Sequence, residues 1–360
     1  MKGHFYSIIT GSGRYIPTHV VKNEDFLNNA FYNAAGEKNH KKNEEIITKF
    51  QQITEIEERR YVEDDYVASD MGYFAALKAI DAANIDKESL DYIIVAHNFG
   101  DVLKSNKKSD LVPSLASRIK YKLGINNPEA IAYDLPFGCP GWLHAVIQAD
   151  YYIKSGDAKK ILVIGTETLS RISDPHDIDS MIYSDGAGAV IIEAIQSEEP
   201  VGILKHKTRS DTVGHAHLLR MGVTYDPFST DDTLFLKMDG RKLYEYALNT
   251  VAPAIKACID KAGLSITEVK KILIHQANAK MDYAILIRLL KLYHIKEIPE
   301  GIMPMTIAKL GNNSVATLPV LYDLIMKGEL DNHSIHSGDN IVFASVGAGM
   351  NVNAVVYKMP

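Results

Sequence analysis

Cysteine is scarce in this chain: Cys139 and Cys258 are the only two in 360 residues. Two thiols cannot build a disulfide framework or a structural zinc site, and they suit a reducing compartment. Basic charge is not in excess either, because 39 Lys and Arg face 45 Asp and Glu, a formal net charge of -6. A nucleic-acid partner is therefore not expected. No apolar run reaches membrane-spanning length, and the opening MKGHFYSIITGSG lacks the charged start, apolar stretch and cleavage site of a secretory signal. These absences lead to the expectation of a cytoplasmic protein without membrane contact. What is present, 46% hydrophobic and 23% charged residues, suffices for one large core or two domains of ordinary size.

The chain repeats one pattern. FAALKAIDAANIDKESLDYIIVAHNFG (residues 74–100) and APAIKACIDKAGLSITEVKKILIHQAN (residues 252–278) each combine an Ala-rich amphipathic helix, a turn, a polar helical start and a β-branched strand ending at His97 or His275. A second pair, KKILVIGTETL and NIVFASVGAGM, places a strand before a polar or glycine turn late in each half. Units about 180 residues apart are too long for a solenoid. Two similar α/β halves packed together are expected, with residues 1–195 forming the first and 196–360 the second. An active site then belongs where strand ends of both halves converge. Residues 101–111 read as a polar insertion after a strand, and residues 205–237 as an aperiodic connection between the halves.

Cys139 is the strongest candidate for chemistry. It follows the apolar run IAYDLPFG and precedes Pro140, which opens an amphipathic helical pattern. A thiol at the first turn of a helix meets unpaired N–H groups and the positive end of the helix dipole, so the thiolate is expected to be favoured. A buried cysteine acting as a small apolar side chain is the competing reading. His275 ends a strand and can donate a hydrogen bond or carry a proton; locally satisfied histidines are common among the 13 present. Asn312 sits in the turn KLGNNSVATLP, where Gly311 makes the turn and Ser314 can cap the next helix. The run Gly347-Ala348-Gly349 fits either an oxyanion-binding turn or an ordinary hairpin. SDGAGA (184–189) reads as a tight structural turn and not a phosphate loop, since no Lys-Ser/Thr follows.

Taken in order, GCPGW around Cys139, SDGAGAVI, LKMDGRKLYEYA, IHQAN, LGNNSVATLP and VGAGMNVNAVVY resemble the thiolase-fold condensing enzymes, most closely the β-ketoacyl-acyl-carrier-protein synthase III family. The resemblance spans nearly the whole chain. It implies a thiolase-like α/β fold, a layered αβαβα sandwich, and an acyltransferase that works as a homodimer. It further implies that Cys139 accepts an acyl group, that His275 and Asn312 bind the extender's thioester oxygen during decarboxylation, and that the main chain of Cys139 and of Gly347, Ala348 or Gly349 forms the oxyanion hole. Partners would be an acyl carrier protein, an acyl thioester on that carrier or on CoA, and a malonyl-type thioester; no metal or redox cofactor is called for. Lys280, Arg288 and Lys291, on the helix after His275, could meet an acidic carrier protein, or form a solvated face. Asn312 replaces the second His of elongating synthases, and Ala348 replaces the second Cys of thiolases.

The sequence departs from that family where CoA would be gripped. Gln51, Gln52 and Ile53 stand where acetyl-CoA-primed members carry a Trp and an Arg, and Ile178 replaces a second Arg. Ordinary acetyl-CoA priming is therefore not expected; a carrier-bound or longer acyl donor is. Fatty acid initiation by decarboxylative Claisen condensation is the leading expectation. A specialised enzyme of dialkylresorcinol or polyketide type, joining two β-ketoacyl chains, is the first alternative. A silent partner subunit of a ketosynthase is the second, and the retained Cys, His and Asn speak against it.

Overall fold

The computed structural model describes residues 4–360, and its architecture follows from two sheets that bury both of their faces. The first has the order His4–Tyr15, Asp185–Ser197, Lys160–Thr168, Tyr92–Ala96, Ile131–Leu135; the last three run parallel and the first two antiparallel to their neighbours. The second has the order Gly202–Ser210, Asn351–Lys358, Asn340–Gly347, Val269–Ile274, with only the last pair parallel. Strand by strand, this is the same arrangement, less the edge strand Ile131–Leu135.

Alternation along the strands assigns each face. In Tyr92–Ala96, Ile94 and Ala96 join the central core while Ile93 and Val95 pack outward with Met71, Ala75 and Ile119. The central core is built on the helices Gly141–Ser155 and Thr317–Met326, whose Trp142, Val146, Leu321 and Tyr322 meet Val163 and Val190 of one sheet and Phe343 and Tyr357 of the other. Ala68–Ala83 and Leu115–Leu123 cover the outer face of the first sheet, and Gly240–Lys261 and Ala279–Leu292 that of the second. Helix, sheet, helix, sheet, helix is the five-layer order expected for this fold. Each fully buried Leu, Ile or Phe in these layers contributes roughly 1.5–3 kcal/mol.

The internal repeat is visible in detail. Ala68–Ala83, the short helical turn Lys87–Ser89 and Tyr92–Ala96 correspond to Gly240–Lys261, Ile266–Glu268 and Val269–Ile274. Two local expectations fail. SDGAGA is not a turn: Asp185 to Ser197 is one strand, and its small residues admit the central helix, since a Cβ on Gly188 would lie 2.7 Å from Pro319 Cβ. Residues 205–237 are not a plain connection either. They complete the edge strand Gly202–Ser210 and pair Leu219–Gly222 with Phe235–Met238, four-residue strands too short to show a period.

Candidate active site

Cys139 is delivered by the loop between Ile131–Leu135 and the helix Gly141–Ser155. Gly138 makes the reversal with a left-handed φ of 66°. Pro140 is the N-cap and the helix starts at Gly141, so Cys139 precedes the first turn instead of lying in it. The hairpin between Asn340–Gly347 and Asn351–Lys358 presses on this loop: a Cβ on Gly347 would lie 2.6 Å from the Cys139 nitrogen. The glycine run is thus both a hairpin and a wall of the cysteine loop. Among the described residues, none accepts a main-chain hydrogen bond from the N–H of Cys139 or Ala348.

His275 directly follows Val269–Ile274, its N–H held by Ala344 O at 2.9 Å. The ring is buried, at 2% exposure, and its Nδ1 has no hydrogen-bond partner among the described residues. Burial pushes its pKa down to about 4, with the Ser314 main chain acting in the opposite direction. Asn312 is tied by its main chain to the segment that leads into Asp185–Ser197, bonding Ile182 O at 3.0 Å and the Ser184 N–H at 2.8 Å. Its Oδ1 accepts the Ser314 N–H at 2.9 Å, which turns the side-chain NH2 away and leaves it available as a donor.

Cys139, His275 and Asn312 line one cavity of about 740 Å³, together with Gly138, Gly347 and Ala348. A neutral imidazole and a carboxamide beside a thiol can donate to an oxygen that gains negative charge, and neither introduces a competing charge. The thiol itself differs from expectation. Burial pushes Cys139 up to about 11, only partly offset by the Ser314 hydroxyl, whose Oγ donates to Sγ at 3.5 Å, and Glu167 pushes it further up. The helix start does not hold a resting thiolate, because burial of the partly exposed cysteine outweighs it.

The other sequence candidates scatter. Lys280, Arg288 and Lys291 are exposed on Ala279–Leu292, outside the cavity lining, and Arg288 is anchored to Asn249 Oδ1 at 2.7 Å. Ile53 and Ile178 do line the cavity, with Lys41, Lys49 and Arg220. Sequence reasoning missed Ser314, treated only as a helix cap, and with it Asn98, whose Nδ2 lies 3.4 Å from Ser314 Oγ. It missed two polar groups on the apolar wall as well: Tyr183, buried with a hydroxyl that has no partner among the described residues, and Asp179, pushed up to about 7 by burial and by Asp177. Only the polar letters themselves could have drawn attention to them.

This fold and cavity define a thiolase-like condensing enzyme. Family models described as 3-oxoacyl-[acyl-carrier-protein] synthase III and its C-terminal part match residues 133–212 and 259–359. The chain is 31% identical over 343 residues to β-ketoacyl-[acyl-carrier-protein] synthase III 1 of Halalkalibacterium halodurans, covering 95% of each chain. It is 32% identical over 354 residues to the synthase III of Staphylococcus aureus, covering 97% of this chain and 98% of that one. Among solved structures, the 3-oxoacyl-[acyl-carrier-protein] synthase III of Aquifex aeolicus superimposes with a TM-score of 0.78 at 28% identity, over 98% of this chain and 100% of that one. The priming β-ketosynthase of the R1128 polyketide pathway gives 0.79 at 26% identity, over 100% and 98%. The chain belongs to the β-ketoacyl-acyl-carrier-protein synthase III family, and it catalyses a Claisen-type condensation.

Proposed function

We propose that the protein joins a Cys139-bound acyl group to a malonyl-type unit carried on acyl carrier protein, releasing CO2. The observation that carries this reading is the one cavity lined together by a thiol from the loop after Ile131–Leu135, an imidazole at the end of Val269–Ile274 and a carboxamide from the turn at Asn312. Cys139 attacks the donor thioester, and its proton leaves with the departing thiol. The oxyanion of that step falls to the N–H groups of Cys139 and of the 347–349 turn. Loss of CO2 from the extender leaves its electron pair on the α-carbon, and His275 and Asn312 donate to the enolate oxygen. The carbanion attacks the acyl carbonyl and expels the Cys139 thiolate, which takes up a proton. The same reading divides the chain into a 1–195 half bearing the nucleophile and a 196–360 half bearing the donors.

The donor is read as longer than acetyl and not gripped by an adenine clamp. Isoleucines at positions 53 and 178 give the cavity mouth apolar walls where the grip would lie, while Lys41, Lys49 and Arg220 leave cations for a phosphopantetheine phosphate. A homodimer is supported by the edge strand Ile131–Leu135, which has one side unpaired and Ile131 48% exposed. Intact-protein mass spectrometry after incubation with acyl-CoA and acyl-carrier thioesters of graded length tests the reading. A medium-chain adduct that disappears in Cys139→Ala is expected; a dominant acetyl adduct from acetyl-CoA would overturn the donor assignment.

A further inference from the structure

Ser314 touches all three members of the triad. Its Oγ donates to Cys139 Sγ at 3.5 Å, its N–H donates to Asn312 Oδ1 at 2.9 Å, and its main chain acts on the His275 ring. It does so from a left-handed φ of 53°, which a residue with a side chain holds only when its surroundings over-determine it. Those surroundings lead to a buried acid that the condensation does not use. Asn98 Nδ2 donates to Ser314 Oγ at 3.4 Å, and Asn98 donates from Nδ2 at 2.8 Å and from its main-chain N–H at 3.1 Å to the same Glu167 Oε2. Glu167 is fully buried at the end of Lys160–Thr168, and its Oε1 has no partner among the described residues.

We propose that Glu167 and Asn98 are positioning residues that aim the Ser314 hydroxyl at the Cys139 sulfur, and that this line sets how readily the thiol ionises. The inference rests on the proposed function only in taking Cys139 as the reactive thiol of the cavity. Its parts act in sequence. Glu167 fixes Asn98 by one hydrogen bond to its main-chain N–H and one to its side-chain amide; the other amide N–H then occupies a lone pair of the Ser314 oxygen, so the hydroxyl hydrogen is left for the sulfur. A donor at sulfur favours the thiolate over the thiol.

The carboxylate has an opposing effect, and this separates the proposal from a purely structural role. Its negative charge near the sulfur disfavours a second negative charge there. Burial pushes Glu167 up to about 7; His97 and the two Asn98 hydrogen bonds pull it down, and Asp185 pushes it up. The groups facing it are therefore His97, which pairs with Asp134, then Asp185 and Cys139. A proton taken up near neutrality has the unpartnered Oε1 to sit on, leaving Oε2 to hold Asn98. Protonation then keeps the positioning and removes the repulsion.

Carboxamidomethylation of Cys139 by iodoacetamide, followed by intact mass across a pH series on the full chain, tests this without any acyl donor. Buried Cys258 is the internal control. Ser314→Ala should move the rate profile up by about one pH unit, a tenfold slower reaction at fixed pH below it. Glu167→Gln, which keeps an acceptor oxygen for Asn98 without the charge, should move the profile down and speed the reaction. Profiles that coincide with the parent, or that move in the same direction, overturn the proposal. Should Glu167→Gln fail to fold, Asn98→Ala carries the test: its profile must move up as Ser314→Ala does, and no movement overturns it. Loss of the acyl adduct with every thioester, alongside the opposed alkylation shifts, would sink the proposed function and leave this inference standing.

Discussion

His97 and His275 end equivalent strands of the two repeats, yet they live in different surroundings. His97 Nδ1 accepts the Gly100 N–H at 3.1 Å, and its Nε2 lies 2.9 Å from Asp134 Oδ2. Burial works against the Asp134 carboxylate, but His97 and the N–H groups of Leu115 and Ala116 hold it below its usual range. His275 has no carboxylate; its Nδ1 is unpartnered and the ring faces the cavity. The edge strand Ile131–Leu135, which supplies Asp134, is the strand that the second sheet lacks. The repeat therefore places an imidazole at a strand end twice, and the neighbouring strand decides whether it is tied down or left to donate.

Exchanging the fates of the two histidines should produce the largest effect. His275→Ala or Asn312→Ala is expected to slow decarboxylation of the extender by about 10²–10³-fold, the usual cost of removing one oxyanion donor, while Cys139 still takes up an acyl group. His97→Ala should do the reverse. It leaves Asp134 short of a buried partner at a cost of about 1–3 kcal/mol in stability, with both chemical steps changed only a few-fold. Separate assays of acyl adduct and CO2 release, with a denaturant melt of each variant, read this contrast. Loss of decarboxylation in His97→Ala without loss of stability would erase it.

The same contrast carries a pH signature. The folded chain keeps His275 neutral down to about 4, whereas an unfolded chain protonates it below the ordinary value of 6.5. Between those values the unfolded state binds the extra proton, so His275 makes the fold acid-sensitive: the penalty is absent above 6.5 and grows as pH falls, reaching about 3 kcal/mol near 4. Urea melts of the parent and His275→Gln should diverge by that amount between pH 7 and 4. Parallel curves would mean that the ring is not the buried neutral donor described.

Much of this was legible from short motifs. Glycine at 138, cysteine at 139 and proline at 140 encode a reversal and a helix start through local turn chemistry, and the 74–100 and 252–278 segments encode their helix-turn-strand order through periodicity. What could not be read depends on distant neighbours. The ionisation of Cys139 is governed by burial that the loop sequence does not reveal. Asn98, Glu167 and Ser314 are far apart in sequence, and only the packing of the strand ends on the 312–317 segment joins them. SDGAGA looked like a turn because its small residues fit one, and only the helix lying across them explains why they form a strand.

That contact can be probed at one atom. Gly165, in Lys160–Thr168, is so close to the 314–316 segment that a Cβ there would lie 2.4 Å from Val315 O. Gly165→Ala should cost about 1–3 kcal/mol by overpacking. It should also slow Cys139 alkylation, because the main chain that has to move carries Ser314. A full stability loss with unchanged alkylation would show that the first sheet supports this segment without setting its alignment.

The smallest expected effect lies on the surface, and it separates the chemistry of the cavity from delivery to it. Lys280 is exposed at the start of Ala279–Leu292, five residues after His275, and among the described residues no side chain engages it. Arg288, on the same helix, is held by Leu248 O and Asn249. A free cation there can speed encounter with an acidic carrier without touching the reacting atoms, and an anchored one has less freedom to do so. Lys280→Glu should therefore raise the apparent KM for a carrier-bound extender several-fold, leave kcat and a small thioester analogue unaffected, and lose its effect as salt rises. Arg288→Glu should show the smaller change. Equal effects on carrier-bound and small substrates would move both residues out of docking and into the folding of the helix that follows His275.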